Sequence, residues 1–137
     1  MEDKNKKNKN DFYEDLYKDD ENIDELKYKD FIIKDKKLIL KNKEYQNNKS
    51  IIIFYATWCG HCKTICDDVK ELSITNLNKF KIGVVNISDN KNKNYLLSDF
   101  LKIDSIPSAY IIEDNHLVKL NKSVNFDNLF FYINMNI

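Results

Sequence analysis

The sequence predicts an α/β domain, a central mixed sheet flanked by helices, behind a charged N-terminal extension. Three observations predict it. Ile51 to Ala56 is an apolar run, β-branched and aromatic, without polar alternation, as expected of a strand buried on both faces. Cys62, Ile65, Cys66, Val69 and Leu72 then recur at steps of three and four, the spacing of one helix face. Ile82 to Ile87 is a second buried run. Strand, helix and strand in that order, with a crossover of roughly 25 residues, imply a right-handed parallel βαβ unit.

The remaining elements follow in chain order. Residues 1 to 28 are dense in Lys, Asp, Glu and Asn and read as a solvated, flexible extension, which leaves 29 to 137 as the domain. Within the extension, Phe12, Tyr13, Leu16 and Tyr17 form a weak helical stripe, the alternative being that it docks on the domain or on a partner. Phe31–Ile33 and Leu38–Leu40 flank the polar stretch Lys34–Lys37 and read as two short strands, or one strand and a loop. Lys41 to Lys49 is a polar connection in which any helix is short or missing. Ser73 to Lys79 reads as a polar turn region, and Asp89 to Asn94 as a charged loop. Tyr95 to Leu101 carries the apolar set Leu96, Leu97, Phe100 and Leu101 of a short helix. Ser108–Ile112 and Leu117–Leu120 read as strands around a Glu113–His116 turn. Phe126, Leu129, Phe130 and Ile133 give the i, i+3, i+4, i+7 stripe of a terminal helix. From Ser50 onward the order is β-α-β-α-β-β-α.

At 137 residues the chain is one domain. Its 22 Lys plus Arg balance 22 Asp plus Glu, so electrostatics makes no case for nucleic acid. No run of about 18 apolar residues is present, so no membrane span is expected. The first 20 residues have no apolar core, so no signal peptide is expected, and the last four carry no retention signal. Three cysteines, an odd count, are unlike a secreted disulfide framework. A reducing, cytoplasmic compartment is the expectation. Asn86-Ile87-Ser88 has the form of a glycosylation sequon but falls in a predicted core strand. The chain has two Gly and one Pro. With so few, their positions carry weight: Gly60 lies between two cysteines, and Pro107 lies in Ser105-Ile106-Pro107-Ser108.

The chemistry sits where the central strand hands over to the helix, at Trp58-Cys59-Gly60-His61-Cys62. A Cys-x-x-Cys there is a thiol–disulfide site, with the first sulfur at the helix N-terminus. Unpaired N–H groups and the positive end of the helix dipole stabilise a thiolate at that point. Cys59 is the candidate nucleophile, because thiolate attacks disulfide sulfur. Cys62, one turn in, is the candidate resolving thiol, and His61 adds a polar ring beside them. Cys66, on the same stripe, reads as a small core residue rather than a regulatory thiol.

This stretch resembles the thioredoxin superfamily, and WCGHC is the form usual in protein disulfide isomerase domains. The resemblance covers roughly residues 50 to 137. It extends to Val85-Asn-Ile-Ser-Asp89 and to Lys102-Ile-Asp-Ser-Ile-Pro-Ser108. It implies the thioredoxin fold and a redox-active Cys59–Cys62 disulfide. It also implies a cis Pro107 facing the sulfurs and an Ile106 backbone that pairs with an extended substrate segment. Trp58 would cover apolar groove surface. His61 implies a better oxidant than Pro would at that position, whereas Ile106 is the thioredoxin-type neighbour. The expected substrates are protein disulfides or thiols. No cofactor is expected, and a reductase or glutathione would supply electrons to a monomer.

There are departures as well. The buried acid common in that family falls at Ile53, and its Lys partner at Val84, so both charges are absent together. Deprotonation of Cys62 is therefore expected to run through water or a nearby group, with slower resolution. The family's helix proline falls at Asp67, which predicts an unkinked helix. Its late glycine falls at Lys122 or Ser123, which narrows the groove. Two other classes are weighed. A zinc site on Cys59, Cys62, Cys66 and a histidine lacks a second ligand pair on a separate loop, so no metal is expected. A binding module without turnover uses the groove around Trp58 and Pro107.

Overall fold

The computed structural model describes residues 16–18, 20–75 and 80–134. In chain order the elements are β1 (Ile23–Leu26), β2 (Phe31–Lys34), β3 (Lys37–Leu40), α1 (Glu44–Asn47), β4 (Lys49–Tyr55), α2 (Gly60–Thr75), β5 (Phe80–Asn86), α3 (Tyr95–Leu101), β6 (Ser108–Glu113), β7 (His116–Lys119) and α4 (Phe126–Asn134). From β4 to α4 this is the order expected from the sequence. Five strands form the central sheet in the order β1-β5-β4-β6-β7, with β2 and β3 as a separate hairpin. Strands β1, β5 and β4 are parallel, and β6 and β7 run antiparallel.

The sheet divides the core into two layers because consecutive strand residues face opposite ways. On β4, Ile51, Ile53 and Tyr55 join the cluster that includes Cys62, Ile65, Val69 and Leu72 of α2 and Leu129 and Ile133 of α4. Ile52 and Phe54 join the other cluster, with Leu38 and Leu40 of the hairpin, Tyr45 of α1 and Leu97 of α3. Every residue from Ile51 to Ala56 is fully buried, which explains why the run lacks polar alternation.

Several expectations need correction. Ile23–Leu26, expected inside the extension, is an edge strand of the central sheet, in register with Ile82–Val85. The folded part therefore begins before residue 29. Tyr17 is 1% exposed and belongs to the core, with Leu16 packed against it. Of the suggested N-terminal stripe, Phe12 and Tyr13 lie outside the described residues. Helix α2 continues to Thr75, past the expected turn at Ser73, whose hydroxyl is satisfied by the Lys70 carbonyl at 2.6 Å. On α4, Leu129 and Ile133 are buried, but Phe130 is an exposed member of the predicted stripe. Both hairpin turns are two residues long: Asp35 and Lys36 in one, Asp114 and Asn115 in the other, all at positive φ. Among the described residues no helix is long and apolar enough to cross a membrane.

Candidate active site around Cys59 and Cys62

β4 ends at Tyr55, and the chain turns through Ala56–Trp58 into α2. The Cys59 N–H donates to the Ala56 carbonyl at 3.2 Å, and the Lys63 N–H donates to the Cys59 carbonyl at 3.2 Å. This closes the first turn and sets Cys59 just ahead of the helix. A second brace comes from the end of β5. The Ser88 hydroxyl donates to Asn86 Oδ1, leaving Ser88 Oγ to accept from the Thr57 N–H at 3.3 Å and the Thr57 hydroxyl at 3.2 Å. Asn94 ties this corner down, its side-chain amide donating to the Asn86 carbonyl at 3.0 Å. Asn86, the sequon residue, is thus buried and bonded within the fold. Sequence reasoning placed Asn86 and Ser88 at a strand end without seeing that they hold the approach to Cys59.

Cys59 and Cys62 are both free thiols. The backbone N–H of Cys62 points at Cys59 Sγ, 3.1 Å away. That donor is one of the orphan N–H groups of the helix start, and it favours negative charge on the sulfur. Cys59 is 8% exposed and Cys62 is 0%. Burial, then the hydrogen bond and charge of Cys59, push the Cys62 thiol up, outweighing the opposing bond to the Ala56 backbone. The two sulfurs are therefore unequal: one near the surface at an N–H donor, the other sealed beneath it.

Cys59 Sγ lies 3.8 Å from the Ile106 carbonyl oxygen, and the Ile106–Pro107 peptide bond is cis. Two segments 47 residues apart in sequence meet at this point. Beside them opens a cleft of about 530 Å³, lined by His61, Ile106, Pro107, Lys122 and Ser123 among others. His61 is on the exposed side of the first helical turn, facing this cleft. Trp58 is 65% exposed, on the turn directly ahead of Cys59. Gly60 begins α2, and a Cβ there would meet nothing within 4 Å. Helix α2 runs unbroken through Asp67.

Ile53 and Val84 are both fully buried and pair directly in the β4–β5 register. Cys66 is buried in the core cluster, and its thiol donates to the Leu16 carbonyl at 3.3 Å. His116 is far from this arrangement in chain and element, opening β7 with Nδ1 3.3 Å from the Asp114 carbonyl. Among the described residues no three His, Cys, Asp or Glu side chains converge as metal ligands would. Tyr17 and Tyr55 share the core cluster that holds Cys59 and Cys62. Tyr55 was expected there as part of the Ile51–Ala56 run, whereas Tyr17 left only a trace, in the weak aromatic stripe.

The chain matches the Thioredoxin family over residues 27–134. It is 36% identical over 52 residues to a thioredoxin of Buchnera aphidicola subsp. Schizaphis graminum, covering 36% of this chain and 48% of that protein. It is 28% identical over 79 residues to Thioredoxin-T of Drosophila melanogaster, covering 58% of this chain and 48% of that protein. In both cases the match spans about half the relative's length. Its fold is similar to that of the J-Trx1 fragment of ERdj5, with a TM-score of 0.65 at 21% identity, over 85% of this chain and 52% of that one. With a mixed sheet flanked by helices and a match over most of its length, the chain belongs to the thioredoxin family.

Proposed function

We propose that this protein exchanges thiols and disulfides on protein substrates, with Cys59 as the attacking sulfur and Cys62 as the resolving one. One observation carries the reading: the Cys62 N–H aimed at Cys59 Sγ at 3.1 Å, with the Cys62 thiol buried directly beneath. In the forward step the Cys59 thiolate attacks one sulfur of a substrate disulfide, and the other leaves as a thiolate. Cys62 then attacks Cys59, releasing the second substrate sulfur and forming the Cys59–Cys62 disulfide. Two electrons pass to the substrate, and a reductase or glutathione returns them.

The Ile106 carbonyl beside Cys59, the cis Pro107 and the adjoining cleft favour an extended peptide segment as substrate. The exposed His61 favours a second reading of direction, in which the oxidised pair donates its disulfide or shuffles others. The reduction potential of the pair decides between them. Trp58, the sole Trp and next to Cys59, reports it by fluorescence in glutathione buffers. A value near about −270 mV supports a reductase, and one near about −180 mV or higher supports an oxidant or isomerase. Absence of any two-electron transition would leave a binding module.

A further inference from the structure

The cleft beside Cys59 carries charge of one sign. Its walls are the Ser105–Ala109 and Lys119–Val124 segments, with His61 of α2 completing the lining. Lys119 and Lys122 are exposed along it, and no Asp or Glu lines it. Asp104, next to Ser105, and Asp127, in the first turn of α4, are the nearest acids in sequence, and neither is part of the lining. Among the described residues no ion pair engages either lysine. The whole chain balances 22 basic against 22 acidic residues, so this is a local segregation of charge rather than a reflection of net charge.

The backbone beneath these lysines is braced. The Leu120 N–H donates to the Ala109 carbonyl at 2.9 Å, which fastens one wall to the other. The Lys122 N–H donates to the Leu120 carbonyl at 2.9 Å, a tight three-residue turn straight after β7. The Ser123 carbonyl accepts the Asn128 side-chain amide at 2.8 Å, so α4 holds the far side of that turn. An ammonium on an exposed stem meets a carboxylate at little cost in desolvation, and its pull on a charged peptide acts mainly on the rate of encounter. The family's late glycine falls at Lys122 or Ser123, so the charge at this turn is a departure of this chain.

We propose that the cleft selects disulfides whose flanking peptide segment is acidic, with Lys122 and Lys119 meeting its carboxylates while the reacting sulfur is at Cys59. The assignment rests on the exchange reading above and adds a preference among its protein substrates. A segment that lies along the Ile106 backbone with its cystine at Cys59 extends into this cleft at about 3.3 Å per residue, so residues adjoining the cystine pass the lysines. A basic segment meets like charge at the same points and is turned away. His61 adds charge of the same sign whenever its ring is protonated. The exchange step itself is unchanged. Cys59 attacks the peptide sulfur, the other sulfur leaves with the electron pair, and Cys62 then displaces the peptide thiol.

The test uses the full reduced chain and matched short peptides with Asp, Ala or Lys on both sides of a single Cys, which is carried as its mixed disulfide with thionitrobenzoate. Attack by Cys59 on the peptide sulfur releases thionitrobenzoate, read by its absorbance. At low ionic strength the Asp peptide should react about tenfold faster than the Lys peptide, with the Ala peptide between them, and the gap should close in about 0.5 M salt. Lys122→Glu should bring the Asp-to-Lys rate ratio to about one or below, and adding Lys119→Glu should invert it. Lys34→Glu, the same change of net charge on the β2–β3 hairpin, should leave the ratio as it is. Each ratio is taken within one protein, so a variant that is merely less active does not move it. A parent ratio under about threefold, a ratio that Lys122→Glu does not lower, or one that Lys34→Glu lowers equally would overturn the assignment. Release no faster than from Cys59→Ser with every peptide overturns the exchange reading itself, whereas brisk release without a charge preference overturns this assignment alone.

Discussion

Ile53 of β4 and Val84 of β5 stand directly opposite each other in the parallel register, both with no exposed surface. The pair is an apolar plug between the central strands, under the helix that carries Cys62. A carboxylate placed there would have no counter-charge. Ile53→Asp is expected to cost roughly 3–5 kcal/mol near neutral pH, read from denaturant midpoints. The loss should shrink in acid, where a buried carboxyl becomes neutral. Adding Val84→Lys should recover part of it. Ile53→Asp should also speed the resolving step, and equal rates of insulin disulfide reduction in parent and variant would show that position 53 has no bearing on the Cys62 proton.

The two glycines make opposite demands. A Cβ on Gly83 would lie 2.4 Å from Leu26 Cδ1 and 3.0 Å from the Tyr45 hydroxyl oxygen. Leu26 and Tyr45 are both in the second core cluster, so neither retreats freely. Gly83→Ala should destabilise by about 1–3 kcal/mol in urea unfolding. Gly60, between the cysteines, has open space at its Cβ and no positive φ. Gly60→Ala should be neutral or stabilise by up to about 1 kcal/mol. Lost exchange activity in Gly60→Ala at unchanged stability would mean that the glycine serves the approach of substrate rather than the backbone.

Lys102 closes α3 in the left-handed conformation, φ 56, with its N–H donating to the Ser98 and Asp99 carbonyls. The Ile103 N–H donates to the Ser98 carbonyl at 3.0 Å. This is the helix stop that glycine usually provides. Lys102→Gly should therefore stabilise by roughly 0.5–1 kcal/mol, because the left-handed strain of a residue with a Cβ is removed. A lower thermal midpoint for the variant would show that the Lys102 side chain holds something the backbone geometry does not reveal.

How much of this was legible depended on whether a segment's chemistry is local. The Ile51–Ala56 run and the Cys62–Leu72 stripe announce a buried strand and a helix in consecutive residues, and the structure keeps both, with the cysteine pair at the handover between them. Ile23–Leu26 was hidden because only its two ends are apolar. Asp24 and Glu25 between them look solvated, yet they are met by the hydroxyls of Tyr45 and Tyr55 from α1 and β4. Charges suit an edge strand, but no local pattern announces partners 21 and 30 residues away. Tyr17 was hidden in the same way, as one aromatic in a charged stretch. The meeting of Cys59 with Ile106 was foreseen only through the family resemblance, since nothing in either segment names the other.

Tyr17 and Tyr45 offer a paired test of burial. Burial chiefly, aided at Tyr45 by the Asp24 hydrogen bond and at Tyr17 by Cys66, raises both phenols well above the usual tyrosine range. A phenol whose folded pKa is raised stabilises the fold fully below its unfolded pKa of about 10, and that contribution is lost as pH climbs above it. Each tyrosine should then remove about 1.4 kcal/mol of stability per pH unit, so unfolding should be steep in alkali. In an ultraviolet titration these two should ionise only with unfolding, later than exposed tyrosines. The Phe variants should differ in sign. Tyr45→Phe loses bonds to Asp24 and the Ile82 carbonyl, and should cost about 1–3 kcal/mol at neutral pH. Tyr17→Phe removes a hydroxyl with no partner among the described residues, so it should be neutral or stabilising while softening the alkaline transition. A Tyr17→Phe variant as damaged as Tyr45→Phe would mean that the Tyr17 hydroxyl is bonded within the fold.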